Sequence, residues 1–381
     1  MKKRLQIFGS LILPLFFGLQ ANAQLTLPPS GENQHASVTQ SIGLVEVTVD
    51  YASPNVHGPN GEDRTGHIWG ELVPYGLANL QFGWSTDANP SPWRGGANMN
   101  TTIQFSHDVL VEGKKLKAGK YGLHFIPGPA EWVVIFSANS DSWGSFFYKP
   151  EEDVLRVTVK PLKSEYHEWL TYEFTDRQQE QATVALMWEY LQVPINIKVE
   201  NMTTLYIENI RKQLRSDIGF NYMAWVDGAN FCVQHNTNLN EALTWATYAI
   251  EEPFFGRKNF VSLSCKASVL KALGKTAASD SLMRIAINDP SASLMDVHYY
   301  ARGLQAEKKN KEALEIFLLN YKNHPDSPVT NLGLARGYSA NGDYKNALKY
   351  AKAALQLNPD PQVKSTLEDA IKKLEAGKDF N

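Results

Sequence analysis

The segment Ala313-Leu-Glu-Ile-Phe-Leu-Leu-Asn-Tyr-Lys-Asn-His-Pro325 decides the fold of the C-terminal half, because its pattern returns 34 residues later. The second copy reads Ala347-Leu-Lys-Tyr-Ala-Lys-Ala-Ala-Leu-Gln-Leu-Asn-Pro359. Both copies place apolar residues at helical spacing and end in a proline, which cannot continue a helix. A fixed period of this length predicts stacked helix pairs, in which each pair buries its apolar side against the next.

This period resembles that of the tetratricopeptide repeat. The matching signature consists of Ala313, Phe317, Pro325, Leu334, Tyr338, Gly342, Ala347, Ala354 and Pro359. Two weaker copies begin at Ala242 and Ala278, each with further small residues and a late proline. Residues 363–374 form one more amphipathic pattern. The resemblance predicts four helical repeats followed by a capping helix.

The half of the chain before residue 200 has the pattern of β-strands. Val45, Val47 and Val49 alternate with polar residues, which is typical of a half-buried strand. About nine or ten short segments of this kind follow, including 145–148, 183–188 and 193–199, with turn residues between them. No helical segment long enough for a parallel crossover lies between residues 40 and 200, so the pattern predicts an antiparallel β-sandwich.

The N-terminal segment has the features of a secretory signal. Lys2, Lys3 and Arg4 precede an apolar run of about fifteen residues, and Ala21-Asn22-Ala23 follows it. That run is shorter than the roughly 20 residues that span a membrane. We therefore expect a cleaved signal peptide over 1–23, a β-sandwich domain over 24–200 and a helical array over 201–381. The protein is expected to be exported to the periplasm or beyond.

Charge and motif content exclude several function classes. Residues 24–200 carry 12 basic and 21 acidic residues, and residues 201–381 carry 22 and 19, so neither half has the basic surplus of a nucleic-acid-binding domain. The motifs GxSxG, GxGxxG and Walker A are absent, and no CxxC pair occurs. These absences favour a non-enzymatic protein without a cofactor. The only cysteines, Cys232 and Cys265, leave a disulfide open.

Two long loops carry the candidate ligand-binding residues. Trp84, Trp93 and Arg94 lie in the second loop and suit stacking on sugar rings and binding of carboxylates, with Asn98 at the end of the loop. The alternative is that tryptophans fill the sandwich core, which we expect for Trp132 and for Trp169 on strand sequence.

The first loop, over 53–66, is associated with the candidate metal ligands of a hydrolase: His57 and His67 flank the segment that holds Glu62 and Asp63, and Glu71 lies beyond it. Two histidines ten residues apart are also ordinary polar loop residues. We consider the metal site the less favoured of the two interpretations.

Four motifs in the first half together resemble the DUF2911 family of uncharacterised exported proteins. They are LVPYG at 72–76, WRGGAN at 93–98, LKAGKY at 116–121 and DVLRV at 153–157. The resemblance covers about residues 40–200 and implies a β-rich domain outside the cytoplasm, sometimes followed by tetratricopeptide repeats. Family members usually have a glutamate where this chain has Met99, which weakens a catalytic interpretation. The resemblance is still consistent with a structural role for the WRGGAN motif, in which Arg94 pairs with a buried acid and Asn98 supports the loop backbone.

The sequence as a whole predicts an exported, non-enzymatic interaction or scaffold protein. Stacked repeats form concave surfaces, so we expect a protein or peptide partner to bind the array. Arg302, Asn331 and Lys266 are candidates to line that surface. The first alternative is a glycan- or envelope-binding sandwich that uses Trp84, Trp93 and Arg94. The second is the metal-dependent hydrolase.

Overall fold

A computed structural model describes residues 33–58 and 60–381, which form two compact units that meet in sequence at Met202 and Thr203. The predicted signal peptide over 1–23 lies outside the described residues. None of the helices in the described ranges has both the length and the apolar character needed to span a bilayer.

The first unit consists of two antiparallel sheets, as the alternation predicts. The strands are β1 Gln34–Ile42, β2 Val45–Ser53, β3 Thr102–Phe105, β4 Val109–Val111, β5 Lys114–Leu116, β6 Gly119–Ile126, β7 Trp132–Ser137, β8 Asp153–Val159, β9 Leu162–Thr175 and β10 Gln181–Lys198. The six-stranded sheet has the order β1-β2-β3-β6-β7-β8, and the four-stranded sheet has the order β5-β4-β10-β9.

A cluster of tryptophans packs between the inner faces of the two sheets. Trp132 on β7 and Trp188 on β10 are almost fully buried, and the Trp69 ring contacts both at centroid distances of 5.1 and 5.7 Å. Trp93 stacks on Trp188 with an interplanar angle of 12°. Aromatic contacts of this kind hold sandwiches together because each ring buries a large area. Trp132 is therefore a core residue as expected, whereas Trp169 is 38% exposed and the expectation for it was wrong.

Strand boundaries differ from the sequence pattern at two places. Residues 183–188 and 193–199 were expected as separate strands, but 183–188 and 193–198 belong to the single strand β10, because its pairing with β9 continues through irregularities on both sides of Glu189. Such a bulge keeps the strand whole while interrupting its alternation. Residues 145–148 form turns rather than a strand. There the Ser145 hydroxyl oxygen lies 2.9 Å from Nδ1 of the buried His124, a tertiary contact that local alternation does not reveal.

The second unit contains ten α-helices within the described residues. They are α1 Met202–Gln213, α2 Tyr222–Gln234, α3 Leu239–Glu251, α4 Phe260–Ala272, α5 Thr276–Ala286, α6 Leu294–Ala306, α7 Asn310–Asn323, α8 Pro328–Ala340, α9 Tyr344–Gln356 and α10 Pro361–Glu375. Helices α2 to α9 form four consecutive pairs and α10 packs on the last pair, which is the helical array that the 34-residue period predicts. Helix α1 precedes the first repeat and was not expected.

Small buried residues allow the paired helices to approach closely. Ala313 and Ala347 are fully buried on the second helix of their repeats. Ala278, the expected equivalent, is exposed, and its place is taken by Ser279, which lies 34 residues before Ala313. The Ser279 hydroxyl donates to the Ala267 carbonyl at 2.8 Å, which satisfies its polar group inside the helix pair.

The two cysteines are unbonded and lie in one core cluster, with Cys232 on α2 of the first repeat and Cys265 on α4 of the second. Cys232 is fully buried and Cys265 is 4% exposed. Burial raises the thiol pKa of Cys232 to about 11 and that of Cys265 to about 12. Because the thiolate is the reactive form, both groups behave as packing residues.

Candidate binding surfaces

One side of helices α6 and α8 presents a row of polar and cationic side chains, which we call the α6–α8 face. Its members are His298, Arg302 and Gln305 on α6 and Leu332, Arg336 and Ser339 on α8. In each helix the three residues are spaced by four and then three positions, which places them on one side. The Gln305 side-chain amide donates to the Arg336 carbonyl at 3.2 Å and joins the two helices.

Residues Asp379–Asn381, which we call the tail, lie across this face. The Ser339 hydroxyl donates to the Asp379 carboxylate at 2.5 Å. The Phe380 ring is 8% exposed and lies in the core cluster that also includes Leu332, with the Arg336 guanidinium 5.2 Å from its centroid. The tail has no helical or strand structure of its own. A short segment without regular secondary structure therefore occupies the α6–α8 face.

The face carries positive charge, and no carboxylate of the described residues forms an ion pair with its two arginines. Arg302 donates to the Gln305 side-chain oxygen at 2.9 Å and to the Asn381 side-chain oxygen at 3.3 Å, and both acceptors are neutral. Burial, with a further contribution from Arg302, lowers the pKa of Arg336 to about 10, and Asp379 opposes this shift. Among the described residues, the arginines that form ion pairs lie elsewhere, at Arg64, Arg156 and Arg211.

His298 contributes a neutral imidazole to the same place. The residue is 8% exposed, its ring packs 5.5 Å from Phe317, and within the described part of the chain its Nδ1 has no hydrogen-bond partner. Burial lowers the pKa of His298 to about 4, and Arg336 and Arg302 add to the shift. The cationic character of the face at neutral pH therefore comes from the two arginines.

The structure places one of the three predicted lining residues on this face. Arg302 is part of it, whereas the buried Asn331 amide donates to the carbonyls of Pro325 and Ser327 and holds the turn before α8. Lys266 pairs with Glu251 at 3.2 Å. Sequence reasoning missed Arg336, although Arg302 and Arg336 are 34 residues apart and the repeat period itself was the signal.

The predicted glycan-binding tryptophans of the sandwich separate in the structure. Trp93 lies in the tryptophan cluster described above, bridged to Phe125 by backbone hydrogen bonds in both directions. Trp84 is 49% exposed, its ring centroid is 5.3 Å from that of Phe147, and the Lys149 ammonium lies 4.6 Å over it. Phe82 continues this surface, which we call the aromatic ledge and define as Phe82, Trp84 and Phe147.

Arg94 and Asn98 contact each other within the loop, as a structural role requires. The buried acid expected to pair with Arg94 is not found among the described residues. The Arg94 guanidinium donates to the Asn98 carbonyl at 2.5 Å and lies 4.8 Å from the Phe146 ring centroid. Burial alone lowers its pKa, since no carboxylate of the described residues forms an ion pair with it. Asn98 adopts a φ of +58°. The pair therefore closes the loop through a backbone carbonyl.

The candidate metal ligands form separate pairs. His67 bonds to Glu71 through Nδ1 at 3.0 Å, whereas His57 bonds to Glu168 on β9 at 2.9 Å and lies 3.7 Å from Asp63. The hydrogen bond to Glu168 raises the pKa of His57 although burial opposes it, which fits a surface ion pair. Within residues 33–58 and 60–381, no three His, Cys, Asp or Glu side chains are placed to hold a metal ion.

The fold and these surfaces define a two-unit protein in which an antiparallel β-sandwich precedes a tetratricopeptide-like array. Residues 33–197, which span the sandwich domain, match the model of the DUF2911 family, described as a protein of unknown function. No match to the chain was found among curated proteins.

Solved structures similar to the chain include two helical-repeat proteins. The tetratricopeptide-repeat protein YrrB, reported with an unusual peptide-binding site, is 16% identical, with 44% of this chain and 84% of that chain covered and a TM-score of 0.30. MamA from Desulfovibrio magneticus RS-1, from residue 41 to its end, is 14% identical, with 41% and 93% covered and a TM-score of 0.28.

Proposed function

We propose that the protein is an exported, non-enzymatic interaction module whose helical array binds an extended segment of a protein partner on the α6–α8 face. The observation that carries this proposal is the tail itself, since Asp379–Asn381 lies on the face as a short peptide with its aromatic ring buried. Buried aromatic anchors with polar contacts around them are the features that give peptide grooves their affinity. The signal-like residues 1–23 support export.

A neighbouring cleft supports a longer binding surface. It has a volume of about 310 Å³ and lies between α4 and α6, with Ser264, Ser268 and Lys271 on one helix and Tyr299 on the other. Tyr299 is 66% exposed, although large aromatic residues are usually covered in soluble proteins. A partner segment bound on the α6–α8 face could continue across Tyr299 into this cleft.

Site-specific photo-crosslinking in cells tests the proposed function. A photoreactive amino acid at Tyr299 is expected to form a discrete adduct with a protein partner, whereas the same amino acid at Leu318, exposed on α7, is expected to form none. Because replacing Tyr299 also removes its own side chain, the photoreactive amino acid is placed separately at Gly303, which is exposed on the same helix and leaves Tyr299 intact. Adducts equally strong at all three positions, or at none, would contradict a partner bound at this face.

The aromatic ledge supports a second candidate function, glycan binding by the sandwich domain. Phe82 and Trp84 are 62% and 49% exposed and lie beside Phe147, so they offer flat apolar surface next to the Lys149 cation. Trp93 and Arg94 from the predicted site are not part of this surface. Aromatic rings that remain exposed beside a polar group are suited to stacking on a ligand.

Replacing Trp84 tests glycan binding. With soluble hexasaccharides of glucose and N-acetylglucosamine as probes, Trp84→Ala is expected to weaken binding about tenfold, the loss typical of one anchor residue. Trp169→Ala is the matched control, because Trp169 is similarly exposed on β9. Calorimetric titration gives both affinities. Equal losses in the two variants, or no heat with either sugar, would count against this function.

A further inference from the structure

The tail matches the apolar part of the α6–α8 face but leaves its charge unmatched. The Phe380 ring fills the space beside Leu332, and the Asp379 carboxylate accepts from Ser339. At the third tail position, however, the group facing Arg302 is the neutral amide of Asn381. The described tail thus offers the two arginines one side-chain carboxylate, that of Asp379, and its hydrogen bond from this face comes from the Ser339 hydroxyl rather than from either guanidinium.

We infer, on the basis of the proposed peptide-binding function, that the α6–α8 face recognises a peptide of the form carboxylate–aromatic–carboxylate, and that the tail is a weaker copy which the partner displaces. The first carboxylate takes the place of Asp379 and the aromatic ring that of Phe380. The second carboxylate takes the place of the Asn381 amide beside Arg302.

The second carboxylate gives the partner its advantage over the tail. The Arg302 guanidinium lies 3.3 Å from the Asn381 side-chain oxygen, so a carboxylate there forms a charge-assisted bond in the same geometry. Such bonds are roughly twice as strong as neutral ones. A second negative charge also relieves the repulsion between Arg302 and Arg336, which contributes to the lowered pKa of Arg336.

The aromatic position is fixed by burial and by the cation above it. Phe380 belongs to a cluster with Ala335 and Leu367, and the Arg336 guanidinium lies 5.2 Å from the ring centroid. A ring in this position gains from apolar burial and from the cation–π attraction. An aliphatic residue gains only from burial, and so aromatic residues are preferred here.

The tail competes with any partner at high local concentration. A short linker between Glu375, where α10 ends, and the tail gives an effective concentration on the order of millimolar. A free peptide therefore binds the intact chain weakly even when the open face binds it well. Removal of the tail is expected to strengthen binding without any change in the face itself.

Fluorescence anisotropy with blocked peptides tests the inference. The probe Gly-Lys-Asp-Phe-Asp is compared with Gly-Lys-Asp-Phe-Asn, which copies residues 377–381, and with Gly-Lys-Lys-Phe-Lys. Blocking both ends removes terminal charges. A chain shortened after Ala376 is expected to bind the first probe about tenfold more tightly than the intact chain does, and about tenfold more tightly than it binds the second probe.

A second variant tests the inference without shortening the chain. It is needed because Phe380 is part of a core cluster, so its removal also affects the stability of the array. In the full-length chain, Asp379→Lys removes the bond to Ser339 and repels the two arginines, and it is expected to raise affinity for the first probe in the same direction. In that background, Arg302→Gln with Arg336→Gln is expected to reduce binding about tenfold or more. Circular dichroism confirms the helical content of each variant.

Two outcomes would overturn the inference. One is equal binding of the acidic and the lysine-containing probes, and the other is no binding by either released variant while both remain folded. Crosslinking at Tyr299 that persists in the double arginine variant would retain the proposed function and reject only this specificity. If no adduct forms at Tyr299 in a chain that is otherwise wild-type, the proposed peptide-binding function itself is rejected, and this specificity with it.

Discussion

Gly95→Ala is expected to destabilise the β-sandwich domain by about 3–5 kcal/mol, through a strained backbone and a steric clash together. Gly95 has a φ of +65°, and a Cβ atom there would lie 2.5 Å from a Phe125 ring carbon and 2.7 Å from the Tyr172 hydroxyl. The Tyr172 and Thr101 hydroxyls both donate to the Gly95 carbonyl, at 2.8 and 3.0 Å, so the backbone cannot move away without losing buried bonds.

Urea unfolding followed by tryptophan fluorescence measures this effect, because seven of the nine tryptophans lie in the first unit. Gly76→Ala is the matched control. Gly76 also has a positive φ, +80°, but a Cβ there meets nothing within 4 Å, so only the backbone strain of about 1–2 kcal/mol is expected. Similar losses in the two variants would show that the contacts with Phe125 and Tyr172 do not restrict this position.

Phe317→Ala is expected to destabilise the helical array by about 3–5 kcal/mol, as is typical for a large aromatic removed from a core. Phe317 is 1% exposed and packs with Ala301, Leu304 and Leu334. Its ring also fills the space above Gly333, where an added Cβ would lie 2.7 Å from it. The ring therefore fits closely against Gly333. Replacing Phe317 by Ala leaves a cavity there, and we expect movement of the helices to close little of it.

The helical circular dichroism signal during urea unfolding reports on the array, because the helices lie in the second unit. Leu318→Ala changes the neighbouring residue on the exposed side of α7 and is expected to cost less than about 1 kcal/mol. A loss for Phe317→Ala no larger than that of Leu318→Ala would place the array core elsewhere. Because the protein has two units, the fluorescence and dichroism transitions are fitted separately.

The part of the candidate site that repeats with the sequence could be predicted, and the remainder could not. Arg302 and Arg336 occupy equivalent positions one period apart, so the repeat places both on one side of successive helices. The tail carries no such information, since the sequence around Phe380 does not indicate where its ring packs. Its burial depends on Leu332 and Leu367, which come from two other helices.

The tryptophans of the loop over 84–98 illustrate the same limit. Trp84 and Trp93 lie in similar turn-forming sequence, yet Trp93 is half-buried in the tryptophan cluster and Trp84 is on the exposed aromatic ledge. The difference arises from Trp188 and Phe147, which other parts of the chain bring to each ring. Local composition therefore indicates both tryptophans as candidate ligand-binding residues and does not distinguish between them.

The sequence alone determined the helix pairs, the antiparallel sheets and the absence of common catalytic motifs. Periods of 34 and of two residues are local consequences of chain geometry, because a repeating backbone must repeat its buried positions. Only the tertiary structure decided which polar groups lack a charged partner and which rings remain exposed. Those properties depend on residues far apart in sequence, as in the contact of the Asp379–Asn381 tail with Arg302 and Arg336.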